Sequence, residues 1–98
     1  MVIHIVLFRY RLGVDPGAIE RLQANLAGLS GAIPAIGRYQ GGTNVSPEGR
    51  GHDYDWGFVM TFPDAGARDA YLDDPAHLAL HPLIGAVVED VLVYDLGT

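Results

Sequence analysis

The sequence predicts an α+β protein of the ferredoxin-like β-α-β-β-α-β type, a four-stranded antiparallel sheet with its helices on one face. Three observations carry that expectation. The chain has 98 residues, 49% apolar and 18% charged, enough for one folded core and too apolar for intrinsic disorder. Its apolar spacing switches between a period of two and a period of about 3.6 in that element order. No repeat, low-complexity tract or linker interrupts it, so residues 1–98 read as a single domain.

The first strand is expected over Ile3 to Leu12, where apolar residues fall on both parities: His4, Val6, Phe8 and Tyr10 on one face, Ile3, Ile5, Leu7 and Arg9 on the other. A strand of that kind is covered on both sides. The protein's own helices can cover one face, and the second face then calls for another layer, most economically a second copy of the chain. A homodimer with its two sheets face to face is therefore expected. Asp15-Pro16 starts a helix, with Asp15 as N-cap and Pro16 in the first turn. Ile19, Leu22, Leu26 and Leu29 lie within an arc of about 80° on it. Ser30-Gly31 should end that helix, before Pro34.

Ile36 to Val45 reads as the second strand, with Gly41-Gly42 marking a bulge or a close approach of backbone. Ser46 to Asp55 is the longest polar stretch and is expected to be a loop. Asn44-Val45-Ser46 fits a glycosylation sequon but, followed by Pro47, reads as a turn. Trp56 to Phe62 alternates again, with Trp56, Phe58, Met60 and Phe62 on one face. Pro63-Asp64 opens a second helix that Asp73-Asp74-Pro75 breaks, because Pro75 bars Asp74 from helical geometry. Asp74 then caps a third helix reaching about Val88, kinked at Pro82, and Val91 to Leu96 closes the sheet.

Composition excludes several functions. There is no Cys, hence no disulfide framework, thiolate zinc site, iron–sulfur cluster or Cys nucleophile. Six Arg, no Lys and twelve acidic residues give a formal charge of −6, and the Arg residues are scattered, so neither nucleic acid nor an anionic membrane is an expected partner. The N-terminal apolar run stops at Arg9, short of the ~20 residues a membrane span needs. A cytoplasmic protein is expected.

Several stretches together resemble the stress-responsive A/B barrel (Dabb) family of dimeric α+β barrels: His4-Ile-Val-Leu-Phe, Gly42-Thr-Asn-Val-Ser-Pro-Glu-Gly, Trp56-Gly-Phe-Val-Met-Thr-Phe, Tyr71-Leu-Asp-Asp-Pro-Ala-His77 and Glu89-Asp-Val-Leu-Val-Tyr-Asp95. One branch of that family, resembling olivetolic acid cyclase, closes polyketide rings without a cofactor. The resemblance carries the branch's first-strand His onto His4, its second-helix Tyr onto Tyr71, and its catalytic His after Pro-Ala onto His77. Two positions differ: Trp56 stands where that branch has a His on the third strand, and Asp74 where it has a His before Pro-Ala.

The residues support this chemistry to different degrees. His77 falls on the apolar side of its helix, where an imidazole can take a proton alpha to a carbonyl. Equally, a His near a helix start can simply bond backbone or solvent. Tyr71 would point away from His77 on a continuous helix, so the break at Asp74-Pro75 is what lets the two converge. His4, among apolar neighbours, reads either as a hydrogen-bonded core residue or as part of a cavity wall, with Phe8 on the same strand face and Trp56 as further wall residues. Asp74, His77 and His81 have spacing worth weighing as a metal site, but Asp74 is explained by capping, and no metal is expected. His52 with Asp53 and Asp55 reads as solvated loop. Arg9 and Arg11 are expected to pair with Asp95 or Glu89 at little gain in stability. The expectation is a Dabb-type homodimer with a pocket for a small apolar carbonyl compound, His77 as base and Tyr71 as its partner, with no cofactor. A noncatalytic binding or structural protein is the alternative, and a cofactor-independent monooxygenase ranks below it for want of an oxygenase motif.

Overall fold

The computed structural model describes Met1 to Thr98. The elements follow the expected order: β1 (Val2–Tyr10), α1 (Pro16–Ala32), β2 (Tyr39–Thr43), β3 (Trp56–Phe62), α2 (Ala65–Asp73), α3 (Pro75–Leu78), α4 (His81–Val87) and β4 (Val88–Gly97). The strands form one antiparallel sheet in the order β2-β3-β1-β4. This is the ferredoxin-like architecture.

The core lies between one sheet face and the helices. Val2, Val6 and Phe8 from β1, Trp56, Phe58, Met60 and Phe62 from β3, and Leu22, Leu26 and Leu29 from α1 are all buried there. The alternate parity of β1, Ile3, Ile5 and Leu7, is only half-buried, because nothing in the chain covers that face. Leu92, Tyr94 and Leu96 of β4 pair with Leu7, Ile5 and Ile3 and extend the same face, all three exposed. An uncovered apolar face of this size marks a surface for association.

Several local expectations need correction, and one open alternative is decided. α1 runs on to Ala32, and Asp15 holds the N-cap position without a side-chain capping bond. β2 is shorter than expected, beginning at Tyr39, although Gly37 N–H donates to Thr61 O and Thr61 N–H to Arg38 O, so ladder-like pairing continues before it. Gly41-Gly42 forms no bulge: β2 stays in regular register with β3, and the glycine requirement comes from close approach, since a Cβ on Gly41 would sit 2.5 Å from the Trp56 ring. The expected third helix is two short ones. Pro82 lacks the N–H that would continue the ladder, so a new helix starts at His81 with Pro82 in its first turn, instead of a longer helix being kinked.

Asp74 caps its helix as expected, and Asp64, expected only at a helix start, is a cap as well. Asp64 accepts from Ala67 N–H at 2.8 Å, and Asp74 accepts from Ala76 N–H at 2.8 Å. Asn44 Oδ1 accepts from Ser46 N–H at 2.9 Å, closing the turn read there.

Candidate functional site

A cavity of about 320 Å³ lies between the helices and the β1–β4 side of the sheet. Its wall is mostly apolar, with Phe8, Phe58 and Ile84 among the contributors, and five polar side chains converge on it: His4, Tyr71, His77, His81 and Asp95. Phe8 therefore stands where the sequence placed it. Trp56 does not: it is not among the lining residues and stacks behind Phe8, ring centroids 5.9 Å apart and planes 28° apart. The reason is position along β3, since Trp56 pairs with Phe8 at the strand's start and is packed against β2 by the bare backbone of Gly41.

The helix break brings Tyr71 and His77 together. α2 ends at Asp73, Asp74 turns extended with φ −66° and ψ 133°, and α3 restarts at Pro75. The Tyr71 and His77 rings consequently lie 4.4 Å apart. His77 Nδ1 is 3.1 Å from Leu72 O. A carbonyl only accepts, so Nδ1 carries the hydrogen and Nε2 is left with its lone pair, free to act as a base. Burial lowers the His77 pKa below the ordinary imidazole value; His81 and His4 push the same way, while the Leu72 carbonyl and Asp74 oppose. Burial also raises the Tyr71 pKa strongly, so its phenol remains a proton donor.

His4 is buried, and its support comes from the far end of the chain. Its Nδ1 is 2.6 Å from Asp95 Oδ1, and Arg68 donates to Asp95 Oδ2, also at 2.6 Å. Burial alone would raise the Asp95 pKa, but the hydrogen bond and charge of His4, together with Arg68, outweigh it and hold the carboxyl below its usual range. The carboxylate fixes the His4 ring with Nε2 as the remaining nitrogen. The His4 ring meets Tyr71 edge-on at 5.7 Å.

The sequence marks Asp95 only as a partner for Arg9 or Arg11, and neither its place beside His4 nor the part of Arg68 is legible there. The expected ion pairing is met at Arg11, 2.8 Å from Glu89, while Arg9 approaches Asp90 at 4.0 Å and neither Arg meets Asp95. One signal was available: on β4, Asp95 shares parity with Val91 and Val93, the residues that line the cavity, and an acid on an inward parity needs a partner. The sequence marks His81 only as a candidate metal ligand. No group of three His, Asp or Glu side chains converges for metal binding. His52 and Asp53 lie on the exposed loop, both with positive φ, 52° and 65°, away from the cavity. A wider cleft of about 710 Å³ is bounded by Arg9, Arg11, Asp53, Asp55 and Glu89. Its charges largely neutralise one another.

The stress responsive A/B barrel domain family matches this chain over residues 2–97. The chain belongs to that family. As a Dabb protein it is 31% identical over 92 residues to the stress-response A/B barrel domain-containing protein HS1 of Arabidopsis thaliana, a match covering 94% of this chain and 84% of that one. A crystal structure of an A. thaliana protein superposes with a TM-score of 0.92 at 30% identity, over 100% of this chain and 95% of that chain. A protein from Jannaschia sp., described as dimeric and ferredoxin-like, superposes with a TM-score of 0.81 at 30% identity, over 99% of this chain and 98% of that one. No helix of the Dabb chain is long and apolar enough to cross a membrane.

Proposed function

We propose that the protein is a homodimer whose cavity binds a small, largely apolar carbonyl compound and promotes proton transfer on it, an aldol-type cyclisation without a cofactor. The observation that carries this reading is the 4.4 Å contact of Tyr71 with His77 inside an apolar cavity, with His77 Nε2 left as a free lone pair.

In the proposed reaction His77 Nε2 removes a proton from the carbon alpha to a carbonyl. Tyr71 donates its O–H to the carbonyl oxygen as negative charge develops there. The enolate carbon attacks a second carbonyl of the same chain, forming the ring bond, and the His77 imidazolium returns its proton to the new alkoxide. Asp95 and Arg68 act as positioning residues by fixing the His4 ring in the wall. The dimer is supported by the uncovered face of Ile3, Ile5, Leu7, Leu92, Tyr94 and Leu96, and by the dimeric description of the Jannaschia relative. A cytoplasmic setting belongs to the same proposal, since a chain with no Cys gains nothing from an oxidising compartment.

Incubation with a panel of linear poly-β-ketones, monitored for cyclised product, tests this reading. Turnover that His77→Ala abolishes supports it. A wild type that turns over none of the panel, with His77→Ala altering only melting temperature, leaves the noncatalytic binding reading, which Trp56 and Asp74 favour by standing where the cyclase-like branch has His.

A further inference from the structure

One imidazole of the cavity has no part in the reaction above. His81 opens α4 and belongs to the cavity wall, yet the residue is exposed. It approaches His77 edge-on, with ring centroids 4.9 Å apart and planes 87° apart. His77 itself is half-buried, with Tyr71 packed against it.

The other titratable groups around His77 are committed. Tyr71 keeps its phenolic proton, and Asp74 accepts the Ala76 amide. His4 and Asp95 hold one another, with Arg68 on the outer oxygen of Asp95. Among these groups, His81 is the exposed one in ring contact with His77. Imidazole also carries a donor and an acceptor on opposite edges, so it can gain a proton at one nitrogen and release another at the second.

We propose that His81 is a proton relay between His77 and solvent. The proposal rests on His77 being the base. The His77 imidazolium loses its Nε2 proton to His81, and His81 releases a proton to water from its other nitrogen; reversal of both steps reloads His77. Only a proton moves. Without a relay, a half-buried base in a largely apolar cavity exchanges its proton with water slowly and returns to the substrate the proton it removed. With one, the removed proton exchanges with water before it returns.

Hydrogen–deuterium exchange at the alpha carbons of methyl hexyl ketone, followed by NMR in D2O, reads this directly. The wild-type protein is expected to accelerate exchange above the buffer rate, and His77→Ala to abolish the acceleration. His81→Gln and His81→Asn, each with a wild-type circular dichroism spectrum, are expected to slow exchange about tenfold or more, with free imidazole in the buffer restoring it. Exchange that stays at the wild-type rate in both variants overturns the relay and leaves the His77 reading intact. Slowed exchange that imidazole does not restore also overturns it, since His81 would then serve only packing. A wild type that fails to accelerate exchange overturns the base reading and the relay with it.

Discussion

His4 and Asp95 are register partners on adjacent strands, ninety-one residues apart in the chain, and their side chains meet at 2.6 Å on the helix-facing side of the sheet. A core histidine thus obtains the acceptor that burial demands, and a carboxylate on an inward parity obtains a donor. The pairing also ties the last strand to the cavity wall.

Replacing Asp95 with Asn should remove that acceptor charge at a stability cost of about 1 to 3 kcal/mol, measured by urea denaturation at neutral pH. Because the folded protein lowers the Asp95 pKa, its contribution is present above the unfolded carboxylate pKa and is lost as pH falls through the lower folded value. Wild-type stability should therefore fall on acidification more than that of Asp95→Asn, and parallel curves would refute the linkage.

His77 shifts in the direction opposite to that of a histidine gaining an ion-pair partner. Its folded pKa lies below the unfolded value, so the unfolded chain binds more protons, and stability rises with pH across the interval between the two. The contribution is fully present above the unfolded pKa of about 6.5 and is lost as pH falls through the folded pKa. Any turnover should have an acid limb with its midpoint below that ordinary value. A midpoint above it would exclude His77 as the titrating base.

In steady-state kinetics, His77→Ala should cost about 10² to 10⁴-fold in kcat while the quaternary state persists. His52→Ala, on the exposed loop, should leave kcat unchanged. Equal losses from both variants would argue for a general folding defect.

The two glycines of β2 should respond differently to a methyl group. Gly41→Ala places a Cβ 2.5 Å from the Trp56 ring and 2.8 Å from the Tyr39 hydroxyl oxygen, whereas a Cβ on Gly42 meets nothing within 4 Å. Trp56 is buried against Phe8 and has little room to yield, so Gly41→Ala should destabilise by about 1 to 3 kcal/mol. Gly42→Ala should be nearly neutral in the isolated subunit, and a comparable loss in both would show that close approach is not the cause.

Light scattering at micromolar concentration should give about twice the 10.5 kDa chain mass. Tyr94→Glu, on the exposed apolar face, should shift the population toward monomer. A soluble wild-type monomer would remove the basis for the face-to-face dimer.

Sequence by itself determined the elements and their order, because local rules govern both. Alternation marked Trp56–Phe62, Asp64 and Asp74 marked two helix starts, and Pro75 marked the break between α2 and α3. The double parity of β1 also foretold an uncovered sheet face, since parity alone assigns side chains to faces. Family motifs added Tyr71 and His77, and the Pro75 break made their convergence legible.

Only the tertiary structure decided what lies across the sheet and around the cavity. The pairing of β1 with β4 sets His4 opposite Asp95, and the docking of α2 brings Arg68 to the same carboxylate; no local rule relates residues so distant in the chain. Trp56 left the cavity for the same reason, because its place behind Phe8 follows from strand register and from the missing side chain at Gly41. The tertiary structure also places His77 and His81, neighbours by their four-residue spacing, on the same cavity wall, with their rings 4.9 Å apart across the junction of α3 and α4.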